Sequence, residues 1–301
     1  MPRFSRRSFV GAGSVAAATG LGSFSVAAGT ARSGGRAAAF APLRTETPVF
    51  ALVQSAAWGI DLETPEPDLE RNLQRMLESI EAAQATGQRC DWIAFHDCPL
   101  TGRVATTAAT RTRVAIEVGG EHFQRLAGAA RRHSCWLSFG AWLRLPGARD
   151  EAFEANAFLS PAGELVSMQR FDGTVRSGSP WPEVVVTDIG NLAATPRADD
   201  PAHHAALVAA GAEFVLRTSS GPLADWALDM PVCCRAHGIH GAIVNAAAGT
   251  RSFPAIDPSG GGTAFFGRDG RRLAAAEGSD EQILRWAVPI GAQRRSAAAP
   301  A

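Results

Sequence analysis

Apolar and polar positions along the chain fall into two kinds of block that alternate. "VFALVQSA" (49–56) is an unbroken apolar run of strand length. "PDLERNLQRMLESIEAAQATG" follows, with Leu69, Leu73, Met76, Leu77 and Ile80 at helical spacing and Gly87 as the stop. "DWIAF" then reads as a strand, "GGEHFQRLAGAARRHS" as a helix with Phe123, Leu126 and Ala130 on one face, and "CWLSFGAWLR" as a strand. "NAFLSPAGELVSMQRF" has the form of a hairpin, two apolar runs around Pro-Ala-Gly. Beyond it "EVVVTDIG" predicts a strand, and Asp200-Pro201 supplies the cap and first position of a helix over "AHHAALVAAG". "EFVLR", "LADWALDMPVCCRAHG", "GAIVNAAA", "TAFFGRDGRRLAAAE" and "EQILRWAV" continue as strand, helix, strand, hairpin and strand. Such alternation predicts an α/β fold with helices covering mixed sheets. Pattern alone does not set the number of layers.

No repeat or linker interrupts this series, which predicts one domain over residues 45–290 and a tail over 291–301. Residues 1–41 stand apart. "SRRSFVGAGSVAAATGLGSFSVAA" places Arg6 and Arg7 before Phe9 and a weakly apolar Ala/Gly stretch. This resembles a twin-arginine (Tat) export signal, an address read by a translocase. The expectation is a partner in the Tat translocase and a periplasmic or secreted location. No later segment approaches the ~18 apolar residues of a membrane span.

Composition narrows the chemistry. Formal net charge is zero, which gives no footprint for a nucleic-acid partner. Lysine is absent from all 301 residues, so every basic side chain is arginine and no reaction needing a lysine amine is available. Cys90, Cys98, Cys135, Cys233 and Cys234 have neither metal-site spacing nor a framework of pairs. Cys90 and Cys135 each open an apolar run and are expected to be buried thiols. The histidine pairs His203-His204 and His237/His240 are expected to be surface or capping residues, with no metal site and no cofactor.

Four segments, taken in order, resemble the nitrilase or carbon–nitrogen hydrolase superfamily: "DWIAFHDCPLTG", "NAFLSPAGELVSMQRF", "VVVTDIGNLAATPRADDP" with "LVAAGAEFVLRTSS", and "GGTAFFGRDGRRLAAAEGSDEQILRWAV". The resemblance implies a four-layer αββα sandwich, commonly assembled into homo-oligomers, and hydrolysis of a carbon–nitrogen bond by a glutamate, a lysine and a cysteine. In that chemistry the carboxylate relays the thiol proton, the thiolate attacks, and the ammonium stabilises the oxyanion.

This sequence departs from the pattern at all three positions. The glutamate position falls on Asp97, which keeps the charge with one methylene less; a retreat on the order of 1 Å costs about a hundredfold where geometry is tight. The lysine position falls on Phe171. Arg170 beside it alternates to the other face of the strand. The cysteine position falls on Arg197 counting from Gly190, or on Thr195 counting back from Pro201. Arg197 stays protonated and cannot attack. A non-standard or inactive member that binds a small amide or carboxylate is therefore expected, with Arg170 and Arg197 as anion ligands and Trp181 and Trp226 as walls. The plainer reading of the same residues is a structural ion pair between Asp97 and an arginine, closing the old cavity. The rival functional reading is an active amidase rebuilt around Asp97 with Thr195 or Cys98 as nucleophile.

Overall fold

A computed structural model describes residues 42–56, 58–85, 87–102, 107–148, 151–170, 184–195, 201–221, 229–248, 260–292 and 294. The export-signal segment, Phe171, Trp181, Arg197 and Trp226 lie outside the described residues.

Two sheets face one another. The first runs β13 (Gln282–Ala287), β1 (Val49–Gln54), β2 (Trp92–Phe95), β4 (Trp136–Arg144), β5 (Phe153–Leu159) and β6 (Leu165–Arg170), with the short β3 (Ile116–Glu117) paired to β4. The second runs β12 (Arg272–Ala275), β11 (Ala264–Phe266), β10 (His240–Val244), β9 (Phe214–Thr218), β8 (Gly190–Thr195) and β7 (Val185–Thr187). The central strands of each are parallel, β1–β2–β4 in one and β8–β9–β10 in the other. Hairpins close the edges. Parallel strands need crossover helices, and these cover the outer faces.

Alternation within the strands builds three cores. Phe50, Leu52, Trp92, Ala94 and Phe158 of the first sheet meet Leu192, Ala194, Phe214, Leu216 and Phe265 of the second. Trp92 is the hub of this inter-sheet layer: its ring lies 5.0 Å from Phe50, 5.7 Å from Phe214 and 6.1 Å from Phe158. Its indole N–H donates to Ser138 Oγ at 3.0 Å, so burying this large ring strands no donor. Residues of opposite parity, such as Ile93, Phe95, Phe139 and Ala157, pack outward under α1 (Pro65–Ala85) and α3 (Glu121–His133). Ala193, Val215 and Ile243 do the same under α4 (Pro201–Ala209) and α5 (Asp229–His237). The result is the expected αββα order of layers.

Three elements differ from the sequence reading. "EVVVTDIG" is not one strand: the chain turns at Asp188–Gly190, Gly190 takes φ +128°, and β7 and β8 form a hairpin. β8 itself, "GNLAAT", holds residues of low strand propensity and is specified by burial between β7 and β9, a tertiary effect invisible to pattern. Helix α2 (Ala108–Val114), capped by Thr107 Oγ1 accepting from the Thr110 amide at 3.2 Å, also went unpredicted because its few apolar residues leave no stripe.

Candidate functional site

The parallel strands β1 and β2 end side by side in a buried polar corner made of Gln54, Ser55, His96 and Asp97. Gln54 Nε2 donates to the carbonyls of Gly278 and Asp280, and its Oε1 accepts from the Thr263 amide at 3.1 Å. Ser55 Oγ lies 3.1 Å from His96 Nε2. Complete burial pushes the His96 pKa down to about 3, so the imidazole is neutral in the folded chain.

The "PLTG" turn after Asp97 is clamped from three sides. Asn72 of α1 donates to the Leu100 carbonyl at 2.9 Å, and Thr101 Oγ1 accepts from the Trp142 amide at 3.2 Å. Gly102 takes φ +59°, where a side chain would also strike the Trp58 carbonyl. The His96 carbonyl accepts from the Gly140 amide at 3.0 Å, which lays the Asp97 backbone against β4 where Gly140 has no side chain.

From Gly140 a row crosses the first sheet: Gly140 pairs with Asn156 on β5, and Asn156 with Gln169 on β6. Asn156 shares the parity of Phe158 and so faces between the sheets. It is fully buried, and neither its amide nitrogen nor its oxygen has a hydrogen-bond partner among the described residues. Gln169 Oε1 crosses the gap and accepts from the Ala194 amide of β8 at 3.2 Å, tying the end of β6 to the end of β8. Gly140, Asn156 and Gln169 escaped the sequence reading. The available signal was an Asn and a Gln at inward parity within apolar strands.

The expected site residues distribute as follows. Asp97 is buried in the corner, 3% exposed. Cys98 is buried too, but its Sγ lies 3.9 Å from Glu154 Oε1 of β5, under the turn. Thr195 ends β8 at the parity of Ala193, opposite Arg217, whose Nη1 is 3.3 Å from Asp229 Oδ2; this is the face that packs under α4 and α5. The inward neighbour is Ala194. Arg170 leaves β6 on the face opposite Gln169, exposed, with its guanidinium 3.6 Å from the centre of the Phe153 ring. The five cysteines are buried, and none is in a disulfide. Burial raises the pKa of Cys90, Cys135, Cys233 and Cys234, to about 11 at Cys135 and Cys233. High-pKa buried thiols are inert packing groups. No helix of the described residues is long and apolar enough to cross a membrane.

Comparison with solved structures finds this arrangement of layers elsewhere. A cysteine-to-alanine mutant of the amidase from Nesterenkonia sp. AN1, in complex with butyramide, is 18% identical with a TM-score of 0.62, over 83% of this chain and 94% of that one. A second mutant of that amidase carries the acetamide moiety of fluoroacetamide covalently at its active-site cysteine; it is 17% identical with a TM-score of 0.63, over 86% and 98%. Saccharomyces cerevisiae Nit3, of the nitrilase superfamily, is 15% identical with a TM-score of 0.69, over 86% and 97%. At these identities the likeness is one of fold. Sequence comparison with curated proteins finds no match. The carbon–nitrogen hydrolase family model matches residues 50–295, from the first buried strand to beyond the last, and the chain belongs to that family.

Proposed function

We propose that this chain is an exported member of the carbon–nitrogen hydrolase family that has lost the family's covalent chemistry and binds a small amide or carboxylate at the inter-sheet corner. The observation that carries this reading is the complete absence of lysine, joined to the absence of cysteine at both candidate nucleophile positions, Thr195 and Arg197. Without the ammonium, an oxyanion formed on an attacked amide loses its charged partner; loss of one such donor alone costs about a hundredfold to a thousandfold in turnover. Without a thiol at that position the family's attacking atom is missing.

Binding is supported by what remains. Asp97 keeps a carboxylate in the corner, and the Asn156 side chain, across β4 on β5, holds both the donor and the acceptor that an amide ligand complements. A fully buried side-chain amide without partners is costly, and a ligand amide relieves that cost. Arg197 stays in the proposal as the carboxylate partner. The Arg6-Arg7 signal supports export through the Tat translocase.

A screen of the mature protein against simple amides, nitriles and small carboxylates tests the reading, with ammonia release and thermal shift recorded together. The expected result is a thermal shift with at least one small amide or carboxylate, reduced in Asn156→Ala and Asp97→Ala, and no ammonia. Ammonia release abolished by Asp97→Ala would instead establish a rebuilt amidase.

A further inference from the structure

A recess lies on the outer side of β6. Helix α2 and the outer faces of β5 and β6 enclose a cleft of about 330 Å³, lined by Arg111, Thr112, Glu151, Phe153 and Arg170 together with two alanines. That volume suits a small molecule. Each arginine in it sits over an aromatic ring: the Arg170 guanidinium carbon is 3.6 Å from the Phe153 centroid, and that of Arg111 is 4.8 Å from the Trp142 centroid.

Elsewhere around α1–α3 most arginines are neutralised, Arg131 excepted among the described residues. Arg71, Arg75, Arg113, Arg125 and Arg132 each pair with an aspartate or glutamate. Arg111 and Arg170 have no carboxylate within 4.0 Å among the described residues, although Glu151 lines the same cleft, and Arg111 Nε is buried without a hydrogen-bond partner there. Ring stacking occupies the flat face of a guanidinium and leaves its in-plane N–H fork available. Two guanidinium groups held over rings in the lining of one small cleft suit the planar geometry of a carboxylate.

We propose that this cleft is a binding site for a small carboxylate, held by Arg111 and Arg170, with Glu151 limiting its affinity for anions. The site is independent of the inter-sheet corner, since Arg170 and Gln169 leave β6 on opposite faces.

Isothermal titration of the full chain with malonate at low salt tests it, with inorganic phosphate at matched ionic strength as the second oxyanion. Saturable malonate binding is expected, weakened by about tenfold or more in Arg111→Met and in Arg170→Met and tightened in Glu151→Gln. The three side chains are partly or fully exposed, and unchanged unfolding midpoints without ligand would show that the variants keep the fold. Absence of saturation, equal affinity in the arginine variants, or binding of phosphate but not malonate would overturn the proposal. Loss of malonate binding in Asp97→Ala with retention in both arginine variants would place the ligand in the corner and overturn it too.

Discussion

Gly140→Ala is expected to destabilise the protein by at least about 3 kcal/mol, more than ordinary overpacking of a core, and to distort the corner that holds Asp97. The reason is a close approach of two backbones rather than an unusual φ. A β-carbon at position 140 would sit 2.5 Å from both the α-carbon and the carbonyl carbon of Asp97, and closer still to its oxygen. A flexible side chain could rotate away from such a contact, whereas these are main-chain atoms of a turn already held by Asn72 and by Thr101. Gly128→Ala in α3 is the matched comparison, because the nearest atom there is 3.9 Å away at the tip of Arg131. It should be neutral or stabilise by up to about 1 kcal/mol. Urea unfolding of the two variants beside the parent checks both. Similar midpoints for the two would mean that the Asp97 turn does not press on β4.

The corner is also expected to make the fold acid-sensitive well above the carboxylate range. His96 titrates at about 3 in the folded chain, against an ordinary value near 6.5, because its burial is complete. Between those values the unfolded chain takes up a proton that the folded chain refuses. The stability held by neutral His96 is therefore whole above pH 6.5 and is lost as pH falls toward 3. From pH 7.5 to 4.5 the loss amounts to about 2–3 kcal/mol from this group. His204, brought down to about 4 by burial and by neighbouring His203 and Arg217, and His240, also lowered by burial, add with the same sign. Glu281, held below its usual range by Arg75 and the Ala56 amide, adds its loss only at lower pH. Denaturant titrations at pH 7.5 and 4.5 should show His96→Gln losing roughly 2 kcal/mol less over that span than the parent. Parallel lines would mean that His96 is protonated, or open to water, in the folded protein.

How far the sequence reaches is visible in single elements. The helices α1 and α3 and the strands β1, β2 and β4 follow from periodicity because each buries one regular stripe or a continuous run. The four layers came from the family resemblance, since a strand buried on both faces reads alike in any parallel sheet. β8 and α2 lack such a signal, the first because alanine and asparagine are poor strand formers and the second because it is a seven-residue surface helix. In the corner, Asp97 was legible from the motif around it. Asn156, Gln169 and Gly140 were not, because their importance depends on cross-strand register, which brings together residues 13 to 29 positions apart. The outward course of Arg170 followed from alternation alone.

The most direct test of the proposed loss of covalent chemistry is the intact mass of the folded mature protein after prolonged exposure to fluoroacetamide, from whose CH2 carbon a nucleophile displaces fluoride and keeps the acetamide group. The proposal predicts an unchanged mass. A single acetamide adduct, mapped by peptide sequencing to Cys98 or Thr195, would contradict it and show that the chain still carries a nucleophile.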